Sequence, residues 1–469
     1  MAIVVTLVLT TSLGVSVVTH PWAQPPMSTS TSAKVAMTPG IGPSIAKPPP
    51  SSPHPGVLEV YDVYPDGATT EDPAVAYDTV SYEPLLNVLE TLVAYNGSSS
   101  KGLGPNAFVP VLATCVPGTA QCTHDYGSTL IANNTHGQPT YFTFVLDPAA
   151  QFYDPSTAKS WGVYPTDVMF SIAREMAYSE AIGVGNTPGW LIAQALLPNG
   201  SGAYDGGIHA PYNTTPAQIY GSMLINDTNY CPATAITNAH GCITFVADGQ
   251  GGPWPQFLQQ IGDGFMGILP CGWYTYEGAG VPGWGNISAA GGDGSCLLPN
   301  GGSTTQSPSW TSYLAGLNPK SWDNFEEDLG ATYPTPAPHV QWNMVGSGPY
   351  YAIITPTGSP PGYSLTTNPG YNQPSGCNAT SGLATYGGYC WPAKNGYQGN
   401  VAVYYEPTDT VGIGQYKAHQ ADFAGILTTD TGELLSLAAQ GDLNYYVAHG
   451  LSVFFQMPNR FSVHWFALM

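Results

Sequence analysis

The sequence is short of charge, and of positive charge above all. Its 469 residues hold nine Lys or Arg and 30 Asp or Glu, so charged side chains make up 8% of the chain, against about 25% in an ordinary soluble domain. With a formal net charge of −21, no basic patch exists that would neutralise a phosphate backbone. Nucleic-acid binding is excluded on that ground, and anionic lipid headgroups are poor partners. The acids are themselves sparse, which separates this chain from acid-rich halophilic surfaces. In strong acid the carboxylates are neutral, and nine Lys or Arg and ten His are a load that a chain of this length carries without severe self-repulsion. An acidic exterior is therefore the expected setting.

Signatures of catalysis and metal binding are also missing. The histidines form no H-E-x-x-H and no paired metal spacing. There is no G-x-S-x-G turn and no glycine-rich phosphate loop ending in Lys-Ser or Lys-Thr. Three S-x-x-K matches, Ser44 to Lys47, Ser98 to Lys101 and Ser156 to Lys159, fall in a Pro-rich spacer and two loops, where chance accounts for them. No catalytic residue, metal or cofactor is expected, and a secreted hydrolase has no constellation to support it.

What is present suits a packed, loop-rich fold. Hydrophobic residues make up 43% and aromatics 12%, while 56 glycines and 44 prolines are spread without a collagen-like period. Ala2 to Val18 carries no charge, so residues 1–22 read as a signal peptide or a short membrane anchor. No Lys or Arg precedes the run, so a start upstream of Met1 is expected. Residues 23–56 are rich in Ser, Thr and Pro and read as an extended spacer that holds a domain away from a membrane.

Eight cysteines, Cys115, Cys122, Cys231, Cys242, Cys271, Cys296, Cys377 and Cys390, form no C-x-x-C. They fall into four sequence-local pairs, so neighbour pairing into four disulfides is the simplest reading, in an oxidising compartment outside the cytosol. Seven N-x-Ser/Thr triplets, at Asn96, Asn133, Asn199, Asn213, Asn226, Asn286 and Asn378, fit export, and glycosylation of some of them is expected.

From Val57 the pattern becomes that of alternating strands and helices. Strands are expected at Val57 to Pro65, Thr140 to Leu146, Cys242 to Val246, Pro349 to Ile354, Val401 to Tyr405 and Phe423 to Leu427. Helices are expected over Asn87 to Tyr95, with Val88, Leu89, Leu92 and Val93 on one face, after Pro165, over Trp254 to Ile261 and over Val411 to His419. In the second of these, Thr166 is placed to cap free amides and Asp167 to sit at the positive end of the dipole. The class is α/β, with residues 57–469 as one domain.

The order of segments resembles family 5 of the extracellular solute-binding proteins, the oligopeptide, dipeptide, nickel and oligosaccharide receptors of ABC importers. The likeness is carried by Asp72-Pro73, by Glu90-Thr91-Leu92-Val93, by Pro110-Val111-Leu112-Ala113 and by Thr140 to Leu146. Asp167-Val168, Phe170-Ser171-Ile172, Gly346-Ser347-Gly348-Pro349-Tyr350 and Ala418 to Asp422 follow in the family's order. The segment Phe152-Tyr153-Asp154-Pro155 departs from the family's F-x-D/N-G-x-P, so that loop is expected to be remodelled. Ser462 to Leu468 resembles the family's hinge strand, which implies that the chain is the N-terminal lobe and that the second lobe is largely missing.

The resemblance implies a periplasmic-binding-protein-like fold of mixed sheets and flanking helices. It also implies a role as an extracellular, cell-surface capture protein, membrane-anchored or secreted, that hands a peptide or oligosaccharide to the ABC permease. Ligand contacts implied for this lobe are Tyr77, Asp78 and Thr79 in the loop after Asp-Pro, and Ser347 and Tyr350 at the Gly-Ser-Gly-Pro-Tyr turn. Trp273, Tyr274 and Trp284 are further stacking candidates. The spacer, the sequons and the missing lobe also fit a surface-structural or adhesive glycoprotein that keeps the fold without transport.

Overall fold

The computed structural model describes residues 57–63, 68, 70, 72–95, 104–156, 158–182, 187–197, 219, 221–238, 240–249, 256–271, 344–355, 361–371, 377–378, 383–384, 400–406, 408–418 and 420–424. The chain divides into two units, Met1–Ser51 and Ser52–Met469, and every described residue belongs to the second. Trp273, Tyr274, Trp284, Cys296 and Cys390, with the proposed leader and spacer, lie outside the described residues.

The class is α/β, built on two main sheets, with β6 (Gln151–Asp154) and β7 (Lys159–Gly162), and β12 (Cys377–Asn378) and β13 (Leu383–Ala384), forming separate two-stranded pairs. The larger joins β1 (Val57–Val63), β10 (Tyr350–Thr355), β11 (Gly362–Thr367), β14 (Asn400–Glu406) and β15 (Phe423–Ala424) in the order β10-β11-β14-β1-β15. Strands β1, β14 and β15 run parallel, and β10 and β11 add an antiparallel edge. Its register sets Leu58 beside Val401, Val60 beside Val403 and Asp62 beside Tyr405. This period-two alternation turns Val60, Val401, Val403, Tyr405 and Leu365 into the core. Helix α7 (Asp409–Lys417) links β14 to β15 and packs on β1, with Gly412 close to Tyr61.

The smaller sheet is antiparallel throughout, in the order β4 (Ile131–Asn133), β5 (Pro139–Val145), β9 (Cys242–Val246), β8 (Met223–Ile225). Phe142 and Phe144 of β5, Phe245 of β9 and Phe257 of α6 (Phe257–Ile261) pack ring to ring at 5.0 to 6.4 Å. Between the strands Thr143 and Thr244 share a buried hydroxyl hydrogen bond of 2.8 Å. Beside Val145, on the face opposite those rings, lies a second cluster around Cys115–Cys122 and Cys231–Cys242, two disulfides that match neighbour pairing. Cys271 is disulfide-bonded too.

Three helices fill the space around these sheets. α1 (Thr79–Val88) packs on β10 and β11, while α3 (Pro165–Ile182) packs on α4 (Gly189–Leu196) and on β8 and β9. Gly189 allows the close approach of α3 and α4, because a Cβ there would stand 1.8 Å from the Glu175 carbonyl oxygen. Two smaller helices, α2 (Ala120–Tyr126) and α5 (Ala233–Asn238), carry Cys122 and Ala235 into the disulfide cluster.

Two local expectations are corrected here. Asn87 to Tyr95 is not a helix: α1 ends at Val88, and Val93–Tyr95 is a strand, β2, paired with β3 (Phe108–Pro110). Asp78 starts the helix earlier by accepting from the Val80 and Ser81 amides, at 3.0 and 2.8 Å. Pro84 inside it leaves the Val80 carbonyl without its helical donor, and the Tyr405 hydroxyl approaches that oxygen at 3.5 Å. At α3 the capping group is Asp167 rather than Thr166. The Asp167 carboxylate accepts from the Tyr164 amide (2.8 Å) and the Cys271 amide (2.9 Å), whereas the buried Thr166 hydroxyl bonds to none of the described residues.

Candidate functional site

The loop that carries Tyr77 is fixed at both ends. At its start Asp72, fully buried, takes both terminal nitrogens of Arg174 from α3, and its side chain and carbonyl accept from the Ala74 and Ala76 amides. At its end the Asp78 carboxylate caps α1 and also accepts from the Ser81 hydroxyl at 2.8 Å. Between these anchors Tyr77 stands 36% exposed. Its hydroxyl accepts from the Trp190 indole N–H (3.2 Å), and its ring lies 5.6 Å from that of Phe265.

Phe265 belongs to a 3-10 turn, Gly264–Met266, that follows α6. Asp263 opens the turn by accepting from the Phe265 amide at 3.2 Å, and it also accepts from the Tyr82 hydroxyl at 3.3 Å. That hydroxyl in turn accepts from the Gly264 amide at 2.9 Å, and the Tyr82 ring packs on Phe265 at 4.4 Å. A side chain at position 264 would collide with Leu86 and the Tyr82 hydroxyl, so glycine lets the turn close on α1. Burial pushes the Asp263 carboxyl up to about 6, with the Phe265 amide and Tyr82 hydroxyl pulling the other way. On β2, Tyr95 is 38% exposed and rests on Phe108 at 4.8 Å. Burial first, and the Asp263 charge second, raise its phenol to about 12.

Tyr77 and Tyr95 thus offer two accessible rings, and Asp263 is the carboxyl whose charge reaches both. Rings of this kind stack on sugar faces or apolar side chains. A neighbouring carboxyl accepts hydrogen bonds or pairs with an amine when ionised. Among the described residues no group of His, Cys, Asp or Glu is arranged to hold a metal ion.

The five residues singled out from the sequence are not brought together. Tyr77, Asp78 and Thr79 lie at the start of α1, Asp78 being committed to the cap. Ser347 and Tyr350 lie at its far end, about 15 Å away for a helix of this length, where the Gly348 amide donates to the Val88 carbonyl at 2.9 Å. Both are 2% exposed. Ser347 neighbours Glu90, whose carboxyl burial pushes up to about 8, with the Ser347 hydroxyl acting in the opposite direction. These two residues are packed into the fold rather than open to a solute.

Sequence reasoning missed Asp263, Phe265, Tyr95 and Trp190. The available signal was Asp263-Gly264-Phe265, a turn dipeptide beside an aromatic residue.

No protein-family model matches the chain, and no curated protein matches its sequence. Several solved structures are similar in part. The periplasmic binding protein DppA of Helicobacter pylori, in complex with the peptide STSA, shares 17% identity at a TM-score of 0.40, over 81% of this chain and 49% of that one. OppA of Burkholderia pseudomallei shares 12% at 0.41, over 82% and 48%, and the murein tripeptide-binding protein MppA of Escherichia coli 14% at 0.41, over 81% and 48%. The chain spans about half the length of each of these structures.

Proposed function

We propose that this chain is the solute-capturing lobe of an extracellular binding protein of the family 5 type, which hands an oligopeptide or oligosaccharide to an ABC permease. The observation that carries the reading is the exposed Tyr77 ring, held between the Asp72–Arg174 anchor and the Asp78 cap and set beside Phe265 and Asp263. The ordered motifs from Asp72-Pro73 to Ala418 to Asp422 support the same family. In proteins of this type a second lobe closes over the solute by a hinge motion. Residues 1–22 then direct export or anchor the chain, residues 23–56 space it from the membrane, and no reaction is assigned to it.

A thermal-shift panel of short oligopeptides and short oligosaccharides tests this. A solute that binds only the folded chain raises the melting temperature in a concentration-dependent way, by the linkage relation RT ln(1 + [L]/Kd). One class is expected to do so. A panel in which neither class shifts the transition contradicts the reading and favours a surface-structural role for the same fold.

A further inference from the structure

Two of the seven N-x-Ser/Thr triplets have described asparagine side chains, and their environments are opposite. Asn133 ends β4 and is exposed, as is Thr135, and no described residue bonds to its amide. Its neighbour Asn134 is used in closing the turn. The Asn134 Oδ1 accepts from the His136 and Gln138 amides at 2.9 and 3.1 Å, and its Nδ2 donates to Gln138 Oε1 at 3.3 Å. The ladder loosens at this point: the register shifts between Ala132 and Asn133, and Asn133 is paired with Pro139, which has no N–H to donate. An exposed, extended and loosely held asparagine two residues before an exposed threonine is what a glycosyl-transferring enzyme can reach.

Asn226 is 9% exposed and sits at φ +49°. Its amide donates to the Cys242 carbonyl (3.0 Å), and its Oδ1 accepts from the Cys242 amide (2.8 Å) beside the Cys231–Cys242 disulfide. Gly241 packs so closely on it that a Cβ there would lie 2.5 Å from Oδ1 and 3.1 Å from Nδ2. The side chain is held in this corner through Oδ1, so a sugar on Nδ2 would have to displace that packing.

We propose that Asn133 is an N-glycosylation site and that Asn226 stays bare in the folded protein. The donor is a lipid-linked oligosaccharide phosphate, used by a transferase of the export route. A bond forms between the anomeric carbon and Asn133 Nδ2, and the anomeric carbon–oxygen bond to phosphate breaks. The lipid phosphate leaves with the electron pair, and the amide nitrogen gives up one proton to a base. Since β4 is the edge strand of the smaller sheet, a polar oligosaccharide at its end also shields unpaired backbone groups from another copy of the chain.

Fragmentation mass spectrometry of peptides from the protein purified from its native cells decides this. The expected result is a sugar mass increment on the peptide containing Asn133 and none on the peptide containing Asn226. Asn133→Gln and Thr135→Ala each abolish the increment, while Thr135→Ser keeps it. A bare Asn133 peptide, or a sugar on Asn226, overturns the proposal.

Discussion

Arg174 and Asp72 form a fully buried, two-pronged ion pair between residues 102 positions apart, in a chain with nine Lys or Arg. One of those few cations is spent on fixing the loop that presents Tyr77. Breaking such a pair strands a charge in the interior, which costs about 3 to 5 kcal/mol. Arg174→Met and Asp72→Leu, each alone, are expected to lose about that much in urea denaturation. The double variant, which removes both charges, is expected to recover most of the loss. A double variant no more stable than either single one contradicts the assignment.

Stability is expected to rise as pH falls toward the acid side. Burial raises the Glu90 carboxyl to about 8 from an ordinary 4.5, raises Asp263 to about 6 from 3.8, and holds Glu83 and Glu175 well above their ordinary value. For each, the folded chain keeps a proton that the unfolded chain has lost, so the stabilisation is full below the ordinary value and disappears as pH rises through the folded one. Melting temperatures should therefore fall from about pH 4 to about pH 8, with Glu90→Gln flattening the upper part of that decline. A melting temperature that climbs over this window contradicts both this account and the acidic setting expected from the composition.

Asn226→Ala removes the acceptor for the buried Cys242 amide and places a β-carbon residue at a left-handed φ without the local side-chain bond that asparagine supplies. The expected loss is about 1 to 3 kcal/mol, read from the midpoint of chemical denaturation. Asn226→Gly, which tolerates the backbone angle, should lose less.

The Cys115–Cys122 and Cys231–Cys242 disulfides close loops with sequence separations of 7 and 11, for which chain-entropy reasoning gives about 2 to 3 kcal/mol each. Replacing Cys115 and Cys122 together by serine is expected to lower stability by that amount in equilibrium denaturation, leaving the solute response unchanged. Cys231 and Cys242 should show at least as large an effect, because their removal also disturbs the Asn226 corner.

The sequence made the main strands legible because they are runs of β-branched and aromatic residues between turn signals, as in Val57–Val63, Cys242–Val246 and Asn400–Glu406. It misled at Asn87 to Tyr95, where Val88, Leu89, Leu92 and Val93 are all buried. A helix end followed by a short strand hides the same residues that a continuous helix face would. α4 carried no helical signal because seven of its eight residues are buried, leaving no polar face for the periodicity to reveal. The loop that carries Tyr77 was legible from the Asp72-Pro73 motif before it. Phe265 and Asp263 were not, since their contacts with Tyr77 and Tyr82 join residues more than 180 positions apart and leave no trace in local pattern.

The most direct test of the central claim is a calorimetric titration of the chain and of its Tyr77→Ala variant with whichever oligopeptide or oligosaccharide shifts the melting transition. The variant also loses the Phe265 contact and the acceptor for the Trp190 indole, so it should stay folded with a stability loss of about 1 to 2 kcal/mol while its affinity falls at least about tenfold, the 1.4 kcal/mol of one ring contact. Equal affinity for parent and variant would place the binding surface elsewhere and contradict the account.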